Sequence, residues 1–175
     1  MIYITADLHF CHNKEFLYGP RGFTNIEDHD ETIVKNWNEL INDEDEIYII
    51  GDIMLNDINR AVKYFNMLKG KKHIIYGNHD TDKRLELYKS LDNVIEVVAG
   101  KRLKYKKYSF WLSHYPSLCD NYDDELTHNA VINLCGHSHT KDAKIDLNKG
   151  LIYHCELDAH NMKPITLDYI IEDLL

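Results

Sequence analysis

The sequence has no Cys-x-x-Cys pair, no internal repeat, no low-complexity tract and no Pro/Gly/Ser-rich linker. Cys11, Cys119, Cys135 and Cys155 are scattered, which argues against a zinc ribbon or a disulfide framework and reads as free thiols in a reducing compartment. No apolar run approaches membrane-spanning length, and the run from Met1 to Ala6 is too short for a signal peptide, so a cytoplasmic protein without membrane attachment is expected. Positive charge is also short. The 20 Lys and Arg residues face 29 Asp and Glu, a formal net charge of -9, so a broad cationic face for duplex nucleic acid is not expected.

What is present is a globular composition, 44% hydrophobic and 28% charged, too apolar for a disordered chain. One domain, 1–175, accounts for the length, and a chain of this size buries about 70% of the surface its unfolded form exposes. The first half alternates strand-like and helical patterns. Ile2 to Thr5 and Glu46 to Ile50 read as strands, while Ile33, Trp37, Leu40 and Ile41 recur at helical spacing behind a capping box at Thr24 and Glu27. Phe10 to Phe23 is left as a long loop. A helix from about Asn56 to Leu68, the strand Lys72 to Tyr76 and a short helix to Leu91 complete this βαβ half. The second half reads as strands: Val94 to Val98, Leu103 to Tyr105, Tyr108 to Ser113, Val131 to Leu134, Ala143 to Leu147, Leu151 to Cys155 and Pro164 to Leu167. An α/β layered sandwich with a partly antiparallel sheet is expected.

Eleven histidines are an unusual number, and their placement matters more. Five polar motifs each follow an apolar run: Asp7-x-His9, Gly51-Asp52, Gly77-Asn78-His79-Asp80, His114, and Gly136-His137-Ser138-His139. Carboxyl ends of strands are where α/β sheets gather ligand sites, and a preceding glycine lets the backbone turn closely against a metal or phosphate. Carboxylate, imidazole and amide oxygen without thiolate suit two divalent first-row ions such as Mn²⁺, Fe²⁺, Co²⁺, Ni²⁺ or Zn²⁺. Two such ions about 3.5–4 Å apart need a bridging carboxylate, for which Asp52 is the natural choice, and can hold a hydroxide that attacks phosphorus.

Taken together, the five motifs resemble those of the calcineurin-like metallophosphoesterase superfamily. The runs Asp7-Leu8-His9-Phe10-Cys11-His12, Trp37-Asn38, Leu112-Ser113-His114-Tyr115-Pro116 and Lys163-Pro164-Ile165-Thr166-Leu167 are similar to its small bacterial and phage members. The resemblance implies a four-layer αββα sandwich with mixed sheets and metal-dependent hydrolysis of a phosphoester. It also implies one ion on Asp7, His9, Asp52 and His139 and another on Asp52, Asn78, His114 and His137. His79 would bind the substrate phosphate and protonate the leaving oxygen, with Asp80 orienting its imidazole. Small bacterial members often carry glycine where this chain has Cys11, which raises questions of loop geometry and oxidation.

Other residues admit two readings. His12 either reaches the substrate or caps its loop, and Arg21 either clamps a phosphate or is an ordinary surface arginine. Lys101, Arg102, Lys104, Lys106 and Lys107 guide a polyanion or, as we prefer, protect a hairpin edge. Tyr108, Phe110 and Trp111 read as packing residues. Asn38 and Asp158 match the small phosphoesterases without a spacing that demands chemistry. The acidic stretch Asp120 to Glu125 argues for a small phosphodiester or nucleotide rather than a long polyanion. The alternative from a different class is a catalytically silent metal-binding scaffold on the same fold. Oligomeric state stays open.

Overall fold

Four short runs rich in isoleucine and valine, Ile2–Thr5 (β1), Glu46–Ile50 (β2), Lys71–Ile75 (β3) and Val94–Val98 (β4), lie parallel in the computed structural model, which describes residues 1–119 and 130–175. Gly100–Tyr105 (β5), Tyr108–Ser113 (β6), Val131–Cys135 (β7) and Ile152–His154 (β8) make a second sheet in that order. Its β5–β6 pair is antiparallel, and its remaining pairs are parallel. Ile165–Thr166 (β9) returns to the first sheet and pairs antiparallel with β1, which gives the order β4-β3-β2-β1-β9. Both sheets are therefore mixed.

Two apolar layers hold the sheets. One packs Ile47, Ile49 and Ile74 of the first sheet against helices Ile26–Leu40 (α2), Ile58–Asn66 (α3) and Asp82–Lys89 (α4), through Ile33, Trp37, Phe65 and Tyr88. A short helix, Glu15–Tyr18 (α1), precedes α2. The other layer lies between the sheets, where Ile4, Ile50 and Ile75 meet Phe110, Leu112, Ile132, Leu134 and Tyr153. Leu167, Ile170 and Ile171 of a last helix, Leu167–Leu174 (α5), join it. Each fully buried isoleucine or leucine here contributes about 2 kcal/mol. Trp37 is fully buried and donates its indole N–H to Lys69 O at 2.9 Å, so its one polar atom is satisfied. Asn38 ties the same turn by donating to Met67 O and accepting from Lys69 N.

Several expectations shift. The cap of α2 is Asn25, whose side chain accepts from Asp28 N, one residue after the predicted Thr24. The loop Phe10 to Phe23 contains α1. Ala143 to Leu147 is not a strand: Asp142 accepts from Lys144 N, Leu147 N bonds Lys144 O, and a 3₁₀ turn follows at Leu147–Lys149. Pro164 to Leu167 shrinks to β9 because Thr166 caps α5 by accepting from Tyr169 N. Lys101, Arg102 and Lys104 lie along β5, an edge strand, and Lys106 and Lys107 in the turn that follows it, with Lys101 paired to Glu96 and Lys106 to Asp168, in keeping with edge protection. No helix of the described residues is long and apolar enough to cross a membrane. The stretch Asp120 to Glu125 lies outside the described residues.

Candidate metal centre

The ligand-type side chains come from both sheets. Asp7, Asp52 and Asn78 follow β1, β2 and β3, while His114, His137 and His139 follow β6 and β7. The backbone there is bent into the left-handed region at Asp7 (φ 58°), His9 (φ 51°), Asp52 (φ 54°), His137 (φ 72°) and His139 (φ 50°). Non-glycine residues adopt that conformation at a cost, and its clustering at one place marks a site the surrounding fold enforces. Two glycines are required by close approach. A Cβ on Gly136 would overlap the Asp7 carboxylate, and one on Gly77 would overlap the Asp52 carboxylate and the His114 ring.

Two groups of donors converge. Asp7, His9 and His139 form one, and Asp52, His114 and His137 the other, each with ligand atoms within 4.8 Å of one another. Asn78 Oδ1 sits 2.9 Å from both His114 Nε2 and His137 Nδ1, which places it with the second group. Asp52 Oδ2 lies 3.7 Å from His9 Nε2 and 3.5 Å from His114 Nε2, so one oxygen faces both groups. Asp7 Oδ1 and His9 Nε2 are buried without a hydrogen-bond partner. Burial without a partner is costly for such atoms, and a dication between them is the group that would satisfy both. The donors of each group therefore suit a divalent metal ion.

Neighbours fix the ring orientations. His114 donates Nδ1–H to Ile50 O at 3.0 Å, and His139 donates Nδ1–H to Asp158 Oδ2 at 3.1 Å, so each turns Nε2 toward the cluster. His9 Nδ1 lies 3.1 Å from His12 Nδ1, and donation from His9 leaves its own Nε2 as a lone pair facing Asp7 and Asp52. Such outer partners set tautomer and basicity in metal sites. Burial pushes the Asp7 carboxyl up to about 7, opposed by the neighbouring His139 and His114. Burial lowers the affinity of His114 for a proton, but the Asp52 and Asp7 carboxylates outweigh it and lift the imidazole to about 9. Burial, then Arg21, drives His9 well below its usual range, so it stays neutral.

His79 N donates to Asp52 Oδ1 at 2.9 Å, while its half-exposed ring stands 4.0 Å from Asp52 Oδ2 and opens on a cavity of about 430 Å³. His12 lines that cavity as well as supporting His9.

Asp80 and Arg21 take positions other than those expected. The Asp80 carboxylate turns inward, accepting from the amides of Gly77, Asp52 and Ile53 and from Tyr88 Oη–H at 2.7 Å. It anchors the two metal loops instead of the His79 imidazole, because the turn into α4 directs its side chain beneath the sheet end. The side chain of Arg21 is 1% exposed and forks onto Asp158 through Nε at 3.0 Å and Nη2 at 2.7 Å. Its remaining donors go to Asp7 O and to His29 Nε2, and His29 in turn donates to Asp30, which holds Cys11 N. Four of its five N–H donors are thus engaged inside the protein, and with the side chain buried its fork faces Asp158 rather than a substrate phosphate. The Asp158 carboxyl is held below the usual carboxylate range by His139 and Arg21 despite its burial. Cys11, at φ 60°, occupies a glycine-favouring conformation. Burial, then Asp30, pushes its thiol up to about 12, which makes it a poor nucleophile.

Asp158, Tyr88, Phe16 and Lys141 stand in no motif whose spacing assigns them chemistry, Asp158 being marked only by its match to the small phosphoesterases. Asp158 and Tyr88 were invisible because their partners lie far away in the chain or on another element. Phe16 and Lys141, which line the cavity, carry no motif signal.

An α/β sandwich whose two sheets present carboxylates and imidazoles from their strand ends defines a metallophosphoesterase frame. The profile of the calcineurin-like phosphoesterase superfamily domain matches residues 1–155, and the chain belongs to that superfamily. It is 33% identical over 178 residues to the uncharacterized protein MJ1445 of Methanocaldococcus jannaschii, covering 98% of this chain and 89% of that protein. The gene 66 protein of Mycobacterium phage D29 is 25% identical over 185 residues, covering 94% and 92%. The crystal structure of the protein of unknown function AQ665 from Aquifex aeolicus shares the fold, with a TM-score of 0.70, 23% identity, and coverage of 100% of this chain and 99% of that one.

Proposed function

We propose that the protein hydrolyses a small phosphoester or nucleotide with two divalent ions, one held by Asp7, His9, Asp52 and His139 and the other by Asp52, Asn78, His114 and His137. The observation that carries this reading is Asp52 Oδ2, set between the two donor groups while Asp7 Oδ1 and His9 Nε2 lie buried and unpartnered. First-row divalent ions, Mn²⁺, Fe²⁺, Ni²⁺ or Zn²⁺, suit donors of this kind. When bound, they supply positive charge for the phosphoryl oxygens and a hydroxide nucleophile near neutral pH.

The chain's own residues do the rest. Asp52 Oδ1 fixes the His79 backbone and so aims the imidazole at the cavity, where it binds a phosphoryl oxygen and delivers a proton to the departing alkoxide or phenoxide. Asn78 would hold an ion through its amide oxygen, which lies 2.9 Å from both His114 Nε2 and His137 Nδ1. His12 positions His9 through the ring pair and shields that side from water.

The test is turnover of bis(p-nitrophenyl) phosphate, p-nitrophenyl phosphate and a nucleotide panel by protein loaded with two ions. His79→Ala should lower kcat by about 10²–10⁴ while retaining both ions, and Asp52→Asn should lose metal. If doubly loaded wild-type protein turned over nothing in the panel, the silent scaffold would replace this reading.

A further inference from the structure

We infer that the cavity beside the metal cluster selects phosphoesters that carry a nucleoside, with the base lying on Phe16; this rests on the phosphoester-hydrolysis reading and narrows its substrate class. The cavity of about 430 Å³ is of the size that holds a nucleotide-sized ligand. His79 lines it beside the donors His9, Asp52, His137 and His139, and Phe16, Leu17 and Pro20, close together in the chain, give it an apolar wall. Leu17 is buried and pins α1, whereas the neighbouring Phe16 is 73% exposed. The Phe16 ring stands edge-on to His12, 5.7 Å between centroids at an interplanar angle of 87°, so its orientation is tied to the loop that carries His9 and His12.

An aromatic side chain left in water at the mouth of a polar, histidine-lined cavity offers a face to a planar group. Every nucleobase has a π-face for such a platform, and base stacking on an aromatic side chain is worth roughly five- to 150-fold in affinity per base. The charge in the cavity agrees with an anionic ligand. Lys141 lines it and makes no ion pair among the described residues, whereas the two carboxylates of the lining are taken up by the protein itself, Asp52 by the cluster of donors and Asp158 by the buried Arg21. Phosphate on the metal donors, base on Phe16 and an uncommitted ammonium in the same cavity describe a nucleotide better than a sugar phosphate or an alkyl diester.

The experiment is calorimetric titration of metal-loaded protein with the non-hydrolysable 5′-phosphonates of adenosine and of ribose, in which CH₂ replaces the ester oxygen. The adenosine compound should bind about tenfold tighter. Phe16→Ala should reduce that ratio to near one, and Phe16→Trp should keep it. Phe16 is exposed, so neither change threatens folding. Equal affinities in the wild type, or a preference that survives Phe16→Ala, would overturn the assignment. Turnover of bis(p-nitrophenyl) phosphate separates the two readings: hydrolysis without a base preference leaves the hydrolase standing and removes only the nucleoside.

Discussion

Replacing Arg21 by methionine should be among the most damaging single changes outside the metal donors. Its side chain is 1% exposed, its guanidinium is bidentate to a carboxylate that is 7% exposed, and two further donors hold Asp7 O and His29 Nε2. Removing one partner of a buried ion pair leaves the other charge uncompensated and costs about 3–5 kcal/mol. With a urea m-value of about 2 kcal/mol/M, this moves the unfolding midpoint down by about 2 M. Unfolding should be followed by circular dichroism in EDTA, so that lost metal does not add to lost stability. Asp158→Asn is the second corner of a double-mutant cycle. Because the pair shares two hydrogen bonds, the double variant should fall short of the sum of the single costs by about 2 kcal/mol. Additivity within about 0.5 kcal/mol, or an Arg21→Met midpoint equal to wild type, would refute the claim that Arg21 is a buried strut.

Lys72 is 1% exposed, donates only to Gly70 O at 3.0 Å among the described residues, and burial drives its ammonium down to about 8. The folded state thus binds fewer protons than the unfolded one between about pH 8 and 10.5, and wild-type stability rises with pH across that window. Lys72→Met should be more stable at pH 7 by about 2 kcal/mol, after allowing for the lost bond to Gly70, and the advantage should disappear above pH ~10.5; a pH-independent difference in urea midpoints would contradict this. Asp80→Asn places an NH₂ among the amides of Gly77, Asp52 and Ile53 and should weaken metal binding about 10–100-fold in a chelator competition. Wild-type metal affinity with a reduced kcat would restore Asp80 to the role of partner for His79.

The positions of the polar motifs were legible because each follows an apolar strand-like run, and in three of the five a glycine (Gly51, Gly77 or Gly136) stands directly before the polar residue, a local pattern that survives into the fold. Leu167, Ile170, Ile171 and Leu174 also follow helical spacing behind Thr166, yet Pro164 to Leu167 alone looks like a strand, and the shorter pattern hid the longer one. Ala143, Ile145 and Leu147 alternate as a strand would, but Asp142 captures Lys144 N and closes a turn. The Arg21–Asp158 pair spans 137 positions, and nothing local announces a contact at that separation. Asp80 misled for the opposite reason: adjacency to His79 suggested a partnership that the turn into α4 prevents.

Because its donors come from the ends of both sheets, the site is also a seam. The stretch from Asp7 to His139 must be threaded and both sheets packed together before the donors meet, so the unfolded chain has no counterpart of this geometry. An ion bound there would act as a rivet across the sandwich, adding RT ln(1 + [ion]/Kd), about 4 kcal/mol at a thousandfold excess over Kd. Metal availability would then govern how long the folded chain persists as well as what it can cleave.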